Sequence, residues 1–590
     1  TPKTLGPDRS LSVDAGKRLE TDYGDYGVVA SLSYGDKTRY REEEWTNYSL
    51  SGGELQENTS YTRARSEREI GLGGLLTLGG KWGEDHQVRS NTFFMRSTTD
   101  SVRVAEGELS AEYDRSRETQ LVWNRRELRL QQFTGDHRFF DRLDVDWRLL
   151  TGTAERALPD RRSYTYNRVG EEWFIRSDSG MERTFNDVRD NITSSGVDAG
   201  FDLPVAGWLD SARLKGGLAV SERDRTSETR ILSFLPEDGA DLSAQPDALF
   251  DPAGVGDTFR IRDDSRTSDN YDGVQEVSAL YAGVKLGLME ALELELGTRQ
   301  ESVTMEVTPR EETTSGFTED RSLPAASATL ALSENMQVRA AFSSTYSLPL
   351  LTELAPIVYN DPDSGQPYRG NPDLVPAGID SQELRWEWYP SEAETLTAGV
   401  FRKDYTNPIE RSFADLAGGD RTLYQMRNFD SAEVTGLEIG TRLDLAKRLG
   451  TPEGYYVLAN ASFVDSRVTS GGGVAVSQDR PLQGQAESVL NLQGGYSGEQ
   501  WDWTLAWNRV GERLAEVGIK LNEQIQLPDT YLQPVDYLDF TAGYAASEQL
   551  SLKFKARNLL DPELEYLQEG QPRRIYTKGR EFSLEASWQF

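Results

Sequence analysis

Gly579-Arg580-Glu581-Phe582-Ser583-Leu584-Glu585-Ala586-Ser587-Trp588-Gln589-Phe590 closes the chain, and its reading decides the fold. Successive side chains of a strand face opposite sides. Phe582, Leu584, Ala586, Trp588 and Phe590 therefore share an apolar face, while Ser583, Glu585, Ser587 and Gln589 share a wet one. A Trp and a terminal Phe at the end of such a face suit a membrane interface. A single strand of this kind also fits a soluble sandwich, so the remaining chain has to decide.

The same two-residue rhythm recurs along nearly the whole length. Ile70, Leu72, Gly74, Leu76 and Leu78 form one apolar set, and Leu280, Ala282, Val284, Leu286 and Leu288 another. Leu292, Leu294 and Leu296 alternate with Glu293 and Glu295. Leu384, Trp386 and Trp388 alternate with Arg385, Glu387 and Tyr389; Leu437, Ile439 and Leu443 alternate with Glu438, Arg442 and Asp444. Trp501, Trp503, Leu505 and Trp507, then Leu538, Phe540, Ala542 and Tyr544, continue the series.

Connection lengths separate a sandwich from a membrane barrel. After about Leu203 short links (Pro204–Asp210, Met289–Ala291, Ser333–Asn335, Pro390–Glu394, Ser497–Gln500, Ala546–Gln549) take turns with long polar ones. The long ones are Ser221–Asn270, Ser302–Asp320, Thr352–Ala377, Thr406–Asp430, Asp465–Gln485, Gly511–Pro534 and Asp561–Lys578. Tight periplasmic turns and long extracellular loops are the asymmetry of an outer-membrane barrel. Nearer the start, Gly79–Asp85 and Phe139–Arg142 read as turns, and Arg41–Glu67, Thr98–Arg117 and Thr151–Asn191 as long loops. The pattern sets no strand edges before Arg41. The expectation is one all-β domain over residues 1–590. It is a transmembrane antiparallel β-barrel of about 22 strands.

Composition is compatible with this. The chain has 590 residues, no Cys, two His and a formal charge of −33. Absent Cys excludes disulfides, thiol catalysis and thiolate metal sites, and the acidity argues against a nucleic-acid partner. No stretch approaches the roughly 18 apolar residues of a membrane helix. A mean hydropathy of −0.61 fits a soluble protein equally, because only alternate residues of a barrel strand meet lipid. Thr1-Pro2-Lys3-Thr4 shows no signal peptide, as expected of either a processed or a trimmed chain.

Several phrases resemble the barrel of the TonB-dependent receptors of Gram-negative outer membranes. Ser347-Leu348-Pro349-Leu350-Leu351-Thr352-Glu353-Leu354-Ala355-Pro356 and Gly370-Asn371-Pro372-Asp373-Leu374 resemble a mid-barrel strand, loop and following strand. Asn558-Leu559-Leu560-Asp561-Pro562, with Gly579-Arg580-Glu581-Phe582 and Phe590, resembles the last hairpin; Tyr405-Thr406-Asn407-Pro408-Ile409-Glu410 is also similar. The resemblance implies uptake of a scarce ligand (siderophore, cobalamin, glycan or peptide) through a plugged barrel energised by TonB. Family members carry an N-terminal plug, whereas this chain reads as barrel from its start. The plug is then expected on the same precursor or on a separate chain. A passive pore or a surface-adhesion barrel without TonB coupling is the alternative.

Individual residues carry less. Glu293, Glu295, Arg385, Glu387, Glu438, Arg442 and Asp444 are expected to face the lumen, as a solute path, a plug-docking surface or simply a hydrated wall. Phe582, Trp588 and Phe590 mark the terminal assembly strand. Tyr359, Tyr368, Phe413 and Tyr424 are candidate ligand-contacting loop aromatics, with loop packing as the other reading. His86 and His137 form no metal-ligand spacing, and two His leave little for a catalytic triad. Asp361-Pro362-Asp363-Ser364-Gly365 and Glu42-Glu43-Glu44 offer oxygens suited to calcium, which turn chemistry and solvated charge explain as well. No enzyme activity, cofactor or metal is expected.

Overall fold

Two-residue alternation becomes one meander of antiparallel strands in the computed structural model. It describes residues 6–51, 54–109, 113–178, 180–311, 313–360, 367–414, 423–469, 477, 479–520 and 526–590. Asp361-Pro362-Asp363-Ser364-Gly365 lies outside the described residues. Among the described residues twenty-one long strands succeed one another, each paired antiparallel with the next. The first eight are β1 (Arg9–Thr21), β2 (Gly24–Ser51), β3 (Glu54–Trp82), β4 (His86–Gly107), β5 (Ser116–Phe139), β6 (Leu143–Val169), β7 (Met181–Asp202) and β8 (Leu209–Pro236). Then come β9 (Tyr271–Leu288), β10 (Leu292–Pro309), β11 (Ser315–Ser333), β12 (Met336–Ser347), β13 (Ala377–Ser391), β14 (Glu394–Thr406) and β15 (Ser431–Asp444). The last are β16 (Tyr455–Thr469), β17 (Ser488–Ser497), β18 (Trp501–Val510), β19 (Val535–Ala545), β20 (Leu550–Arg557) and β21 (Glu581–Trp588).

One rim is built of tight turns. Phe140–Asp141 and Met289–Glu290 all take positive φ, between 51° and 59°, the geometry whose twist matches that of the flanking strands. The outer face carries the apolar alternation: Leu32, Leu280 and Leu584 are 65%, 56% and 77% exposed. Tyr26 against Trp82, and Trp501 against Tyr544, make ring pairs on this face beside the short-turn rim, where an interfacial girdle belongs.

Four stretches expected to be loops are largely strand, and a fifth, Ser221–Asn270, is strand in part. β2 and β3 meet at Ser51 and Glu54, within Arg41–Glu67. β4 and β5 occupy most of Thr98–Arg117, and β6 and β7 most of Thr151–Asn191. β8 extends to Pro236, and β10 to Pro309 with β11 starting at Ser315. The reason is physical. Above the apolar band both faces of a strand are wet, so alternation fades from the sequence while the backbone ladder continues.

Closure differs between tiers. At the long-loop rim the sheet closes on itself: Glu43, Glu44 and Trp45 of β2 pair with Tyr576, Ile575 and Arg574 from the last long connection. Buried Glu43 accepts from Arg574 (2.8 Å) and Trp45 Nε1 (2.7 Å) and sits 2.6 Å from Arg41. Arg574 lies over the rings of Trp45, Tyr566 and Tyr576. Near the short-turn rim, among the described residues, β1 pairs only with β2 and β21 only with β20. Both edge strands run toward the short turns, so an antiparallel seam between them requires one strand of opposite sense.

Two outcomes follow. With a strand between them, the edges lie about 9–10 Å apart, beyond disulfide reach. Cysteines at Ala15 and Ala586 should therefore not cross-link in the folded native protein; efficient bridging would instead show a direct parallel seam. At the other rim, burial pushes the Glu43 carboxyl up, but Arg574, Trp45 and Arg41 outweigh it and hold it below its ordinary 4.5. That stabilisation is complete above pH 4.5 and lost as pH falls through the lower folded value. Acid should loosen the Glu43–Arg574 contact, read by cross-linking of β2 to the last loop, and Glu43→Gln should cost about 2 kcal/mol or more at pH 7.

Candidate ligand chamber

β10 carries Val303, Met305 and Val307 on the same face as Glu293 and Glu295, an apolar patch that would be costly against lumen water. It is covered. The connection between β12 and β13 folds inward, because Pro349 ends the ladder and a one-turn helix, Leu351–Leu354, follows. Leu351, Leu354, Ala355, Ile357 and Leu374 pack against Tyr271, Val303, Met305 and Val307 in one buried cluster. Gly370 lies so close to this helix that a Cβ would stand 1.6 Å from the Ala355 carbonyl oxygen. Asn371 accepts from the Asp373 N–H (3.1 Å) and donates to the Met426 carbonyl (3.0 Å), tying this loop to the next. Arg225 of β8 donates to Thr352 Oγ1 (3.2 Å), which also bonds the Tyr271 hydroxyl (3.1 Å); Arg225 itself grips buried Asp190.

Between this insert and the wall of β3–β8 lies a chamber of about 1110 Å³. The four expected loop aromatics form one column. Tyr359 stacks on Tyr368 at 5.7 Å, Tyr368 meets Tyr424 at 5.5 Å, and Tyr424 meets Phe413 at 5.2 Å. A small sheet holds them, made of Val358–Asn360, Pro367–Arg369, Tyr424–Asn428 and Ile409–Phe413. Tyr359 and Tyr368 line the chamber; Phe413 and Tyr424 are buried behind them in a second apolar cluster.

The wall opposite is rich in arginine. Arg65, Arg103, Arg126 and Arg161 line it beside Glu67, Glu69 and Glu182. Burial first, then Arg63, Arg65 and Arg161, draw the Arg103 guanidinium below its usual value, against Glu118. Burial pushes the carboxyls of Asp269 and Glu353, also lining the chamber, upward. These arginines escaped the sequence reading, which placed Arg41–Glu67 in a loop; two-residue spacing at Arg39, Arg41 and at Arg63, Arg65 was the available signal.

The expected lumen charges lie on the chamber side of the sheet. Register carries the face from Glu295 through Ser327 and Ala341 to Glu383, and thence to Arg385 and Glu387; Arg385 and Glu438 both oppose Gly399. Glu293 pairs with Lys285 (2.8 Å), Glu295 with Lys215 (2.6 Å), Arg385 with Glu438 (3.0 Å) and Glu387 with Arg339 (3.3 Å). Arg442 lies over the Tyr456 ring. Asp444 instead caps the helix Leu445–Leu449 at a short turn, accepting from the Ala446 N–H. Phe582 and Trp588 sit on the outer face opposite Ala556 and Leu550, and Phe590 is 95% exposed. His86 and His137 meet across β4 and β5, far from the chamber, with Nδ1 atoms 3.3 Å apart. Trp147 donates to His137 Nε2. Among the described residues, no group of three or more His, Cys, Asp or Glu is poised for a metal.

Residues 3–559 match the TonB dependent receptor-like, beta-barrel family. The chain belongs to that family. No curated protein matches it in sequence. Its fold is that of the ferric-catecholate import receptor Fiu of E. coli K12, at a TM-score of 0.62 and 14% identity over 97% of this chain and 82% of that one. The ferripyoverdine receptor of Pseudomonas aeruginosa is similar (TM-score 0.58, 13% identity, 98% and 71% covered). So is the ferric citrate transporter FecA (0.56, 13%, 94% and 79%). This TonB-dependent receptor barrel therefore resides in the outer membrane of a Gram-negative bacterium, with its short turns periplasmic and its chamber extracellular.

Leu354 is fully buried, so Leu354→Ala should cost about 2–5 kcal/mol of insert docking without unfolding the barrel. Protease should then cut the β12–β13 connection faster while heat-resistant gel migration persists. Unchanged cleavage would show that the insert is held by something other than this apolar contact.

Proposed function

We propose that this receptor captures a scarce ligand in the extracellular chamber and imports it with energy supplied through TonB, across a lumen occupied by a plug domain. The carrying observation is the inward-folded insert. It is anchored to the wall through Thr352, Arg225 and Tyr271 and leaves a partly enclosed, mixed polar–aromatic chamber instead of a clear mouth. A passive pore gains nothing from such an enclosure. A chamber of this size suits a ligand of drug-like dimensions or larger. The similar receptors for ferric catecholates, ferripyoverdine and ferric citrate make a ferric chelate the first ligand to try.

Below the chamber, the charges at Glu293, Glu295, Arg385, Glu387, Glu438 and Arg442 provide a hydrated surface for a plug. The plug derives from the same precursor or from a separate chain. Chamber capture without chemistry needs neither catalytic residues nor a resident cofactor.

Uptake of radiolabelled iron chelates by cells in which this is the sole outer-membrane receptor tests the reading. Import should disappear when TonB is deleted and return with it. Import that persists without TonB, together with a steady large single-channel current from the complete protein, would establish a passive pore instead.

A further inference from the structure

For a few residues above the membrane the ladder between β5 and β6 opens. Leu121 pairs with Arg162, and pairing resumes only at Arg125 with Ala157. β6 slips against β7 at the same level, between Leu158 and Arg161. Pro159, which has no N–H to give, lies within the break. Bulges of this kind re-aim side chains. Thr99, Ser101, Gln120 and Asn124 face the chamber, so Asp100, Leu121 and Trp123 point outward by alternation. With Pro159, Asp160 and Arg162 they line a recess of about 410 Å³ on the outer wall.

The recess sets fixed polar groups beside a bare ring. Asp160 accepts from Arg183 Nε (2.8 Å), Arg183 Nη2 (2.8 Å) and Arg162 Nε (2.8 Å). These bonds fill three of its roughly four acceptor positions and fix the carboxylate. Asp100 is the direct cross-strand neighbour of Trp123 and, among the described residues, accepts no hydrogen bond. Trp123 is 45% exposed and, among the described residues, meets no other ring. It does not belong to an interfacial girdle. On the outer face of β5 the apolar residues end at Phe133 and charge begins at Arg129. Trp123 stands about 20 Å beyond Arg129 along the strand, or ~15 Å along the membrane normal at the usual tilt.

We propose that this recess docks a neutral sugar ring of the glycolipid surrounding the barrel in the outer leaflet. At this height the outer wall of an outer-membrane protein is bordered by the saccharide layer of that leaflet, while the ligand chamber lies across the sheet. The C–H face of a pyranose is apolar and slightly positive, which matches the negative face of an indole. Its hydroxyls donate to Asp100 and to the remaining position on Asp160, and accept from Arg162. Asp100 and Asp160 are balanced by Arg162 and Arg183, so the site suits an uncharged ring, and its two carboxylates repel a lipid phosphate. Docking of this kind fixes the tall wall in its lipid shell and holds whether or not the chamber imports a ligand.

Lipopolysaccharide carrying its core sugars and lipid A alone are each titrated against the complete protein in detergent micelles, with bound glycolipid counted by native mass spectrometry. The core-bearing form should bind about tenfold tighter. Trp123→Ala with Asp100→Asn should erase that advantage and leave lipid A binding unchanged. Trp123→Phe keeps a ring and should fall between. Both substituted positions are exposed, so heat-resistant migration of the barrel should persist in every variant. Equal affinity for the two glycolipids, or an advantage that survives the double substitution, would overturn the docking site. Core oligosaccharide freed of its lipid should compete only at higher concentration; binding as tight as that of the anchored form would make the recess a receptor for soluble sugars instead. In outer-membrane vesicles, hydroxyl radicals should oxidise Trp123 slowly when the core is complete and faster when it is truncated. Equal protection in both would reveal a protein cover, and equal oxidation no cover at all; either result would overturn the proposal.

Discussion

Every backbone N–H and C=O that meets hydrocarbon must find its partner on a neighbouring strand, since lipid offers none and each unpaired group costs several kcal/mol. This requirement organises the molecule. It fixes the long antiparallel ladders and assigns apolar residues to one face only. Charge is thereby confined to the lumen or to the region above the bilayer. A chain with 27% charged residues can then cross a membrane, because its inner face stays hydrated. The Lys285–Glu293, Lys215–Glu295 and Arg385–Glu438 pairs are therefore cheap to build in the lumen.

The barrel is lopsided, and the chamber depends on that. β2 to β8 have 22 to 29 residues each, whereas β17 to β21 have 8 to 11. A tilted strand needs only about 9–11 residues to span the apolar core. The surplus in the first half stands in water as a tall wall. The second half spends its length on connections, two of which fold inward to supply the aromatic column. Wall and insert meet through a few contacts: Leu354 and Leu351 against Val303, Met305 and Val307, and Thr352 against Arg225 and Tyr271. The wall is held by continuous backbone pairing. The insert is held by one apolar patch, a few polar bonds and the small sheet it shares with the next connection.

Much of this was legible in the sequence wherever lipid imposes its pattern. Phe582 to Trp588, Leu280 to Leu288 and Leu384 to Trp388 alternate because one face meets hydrocarbon, and the structure places them on strands. The pattern failed where that medium ends. Arg41 to Ser51 and Thr151 to Val169 are strand with both faces wet, so their polarity read as loop. Val303, Met305 and Val307 also read as loop, within Ser302–Asp320, although their apolar rhythm lies on the inner face of a strand and serves a fold-back contact. Tyr359, Tyr368, Phe413 and Tyr424 were singled out by residue type alone. Sequence could not show that they stack, because their contacts join two separate connections. That Arg41, Arg65 and Arg103 stand opposite one another was hidden for a related reason: the register is set by pairing across three strands.

Among the described residues the sheet closes on itself at one rim only, and the difference constrains how the wall can move. Near the long loops, three backbone partners and the Glu43–Arg574 contact tie β2 to the last connection. Arg41 serves this latch through Glu43 and stands opposite Arg65 in the ladder, so a substitution at Arg65 reaches the rim contact through one neighbouring side chain.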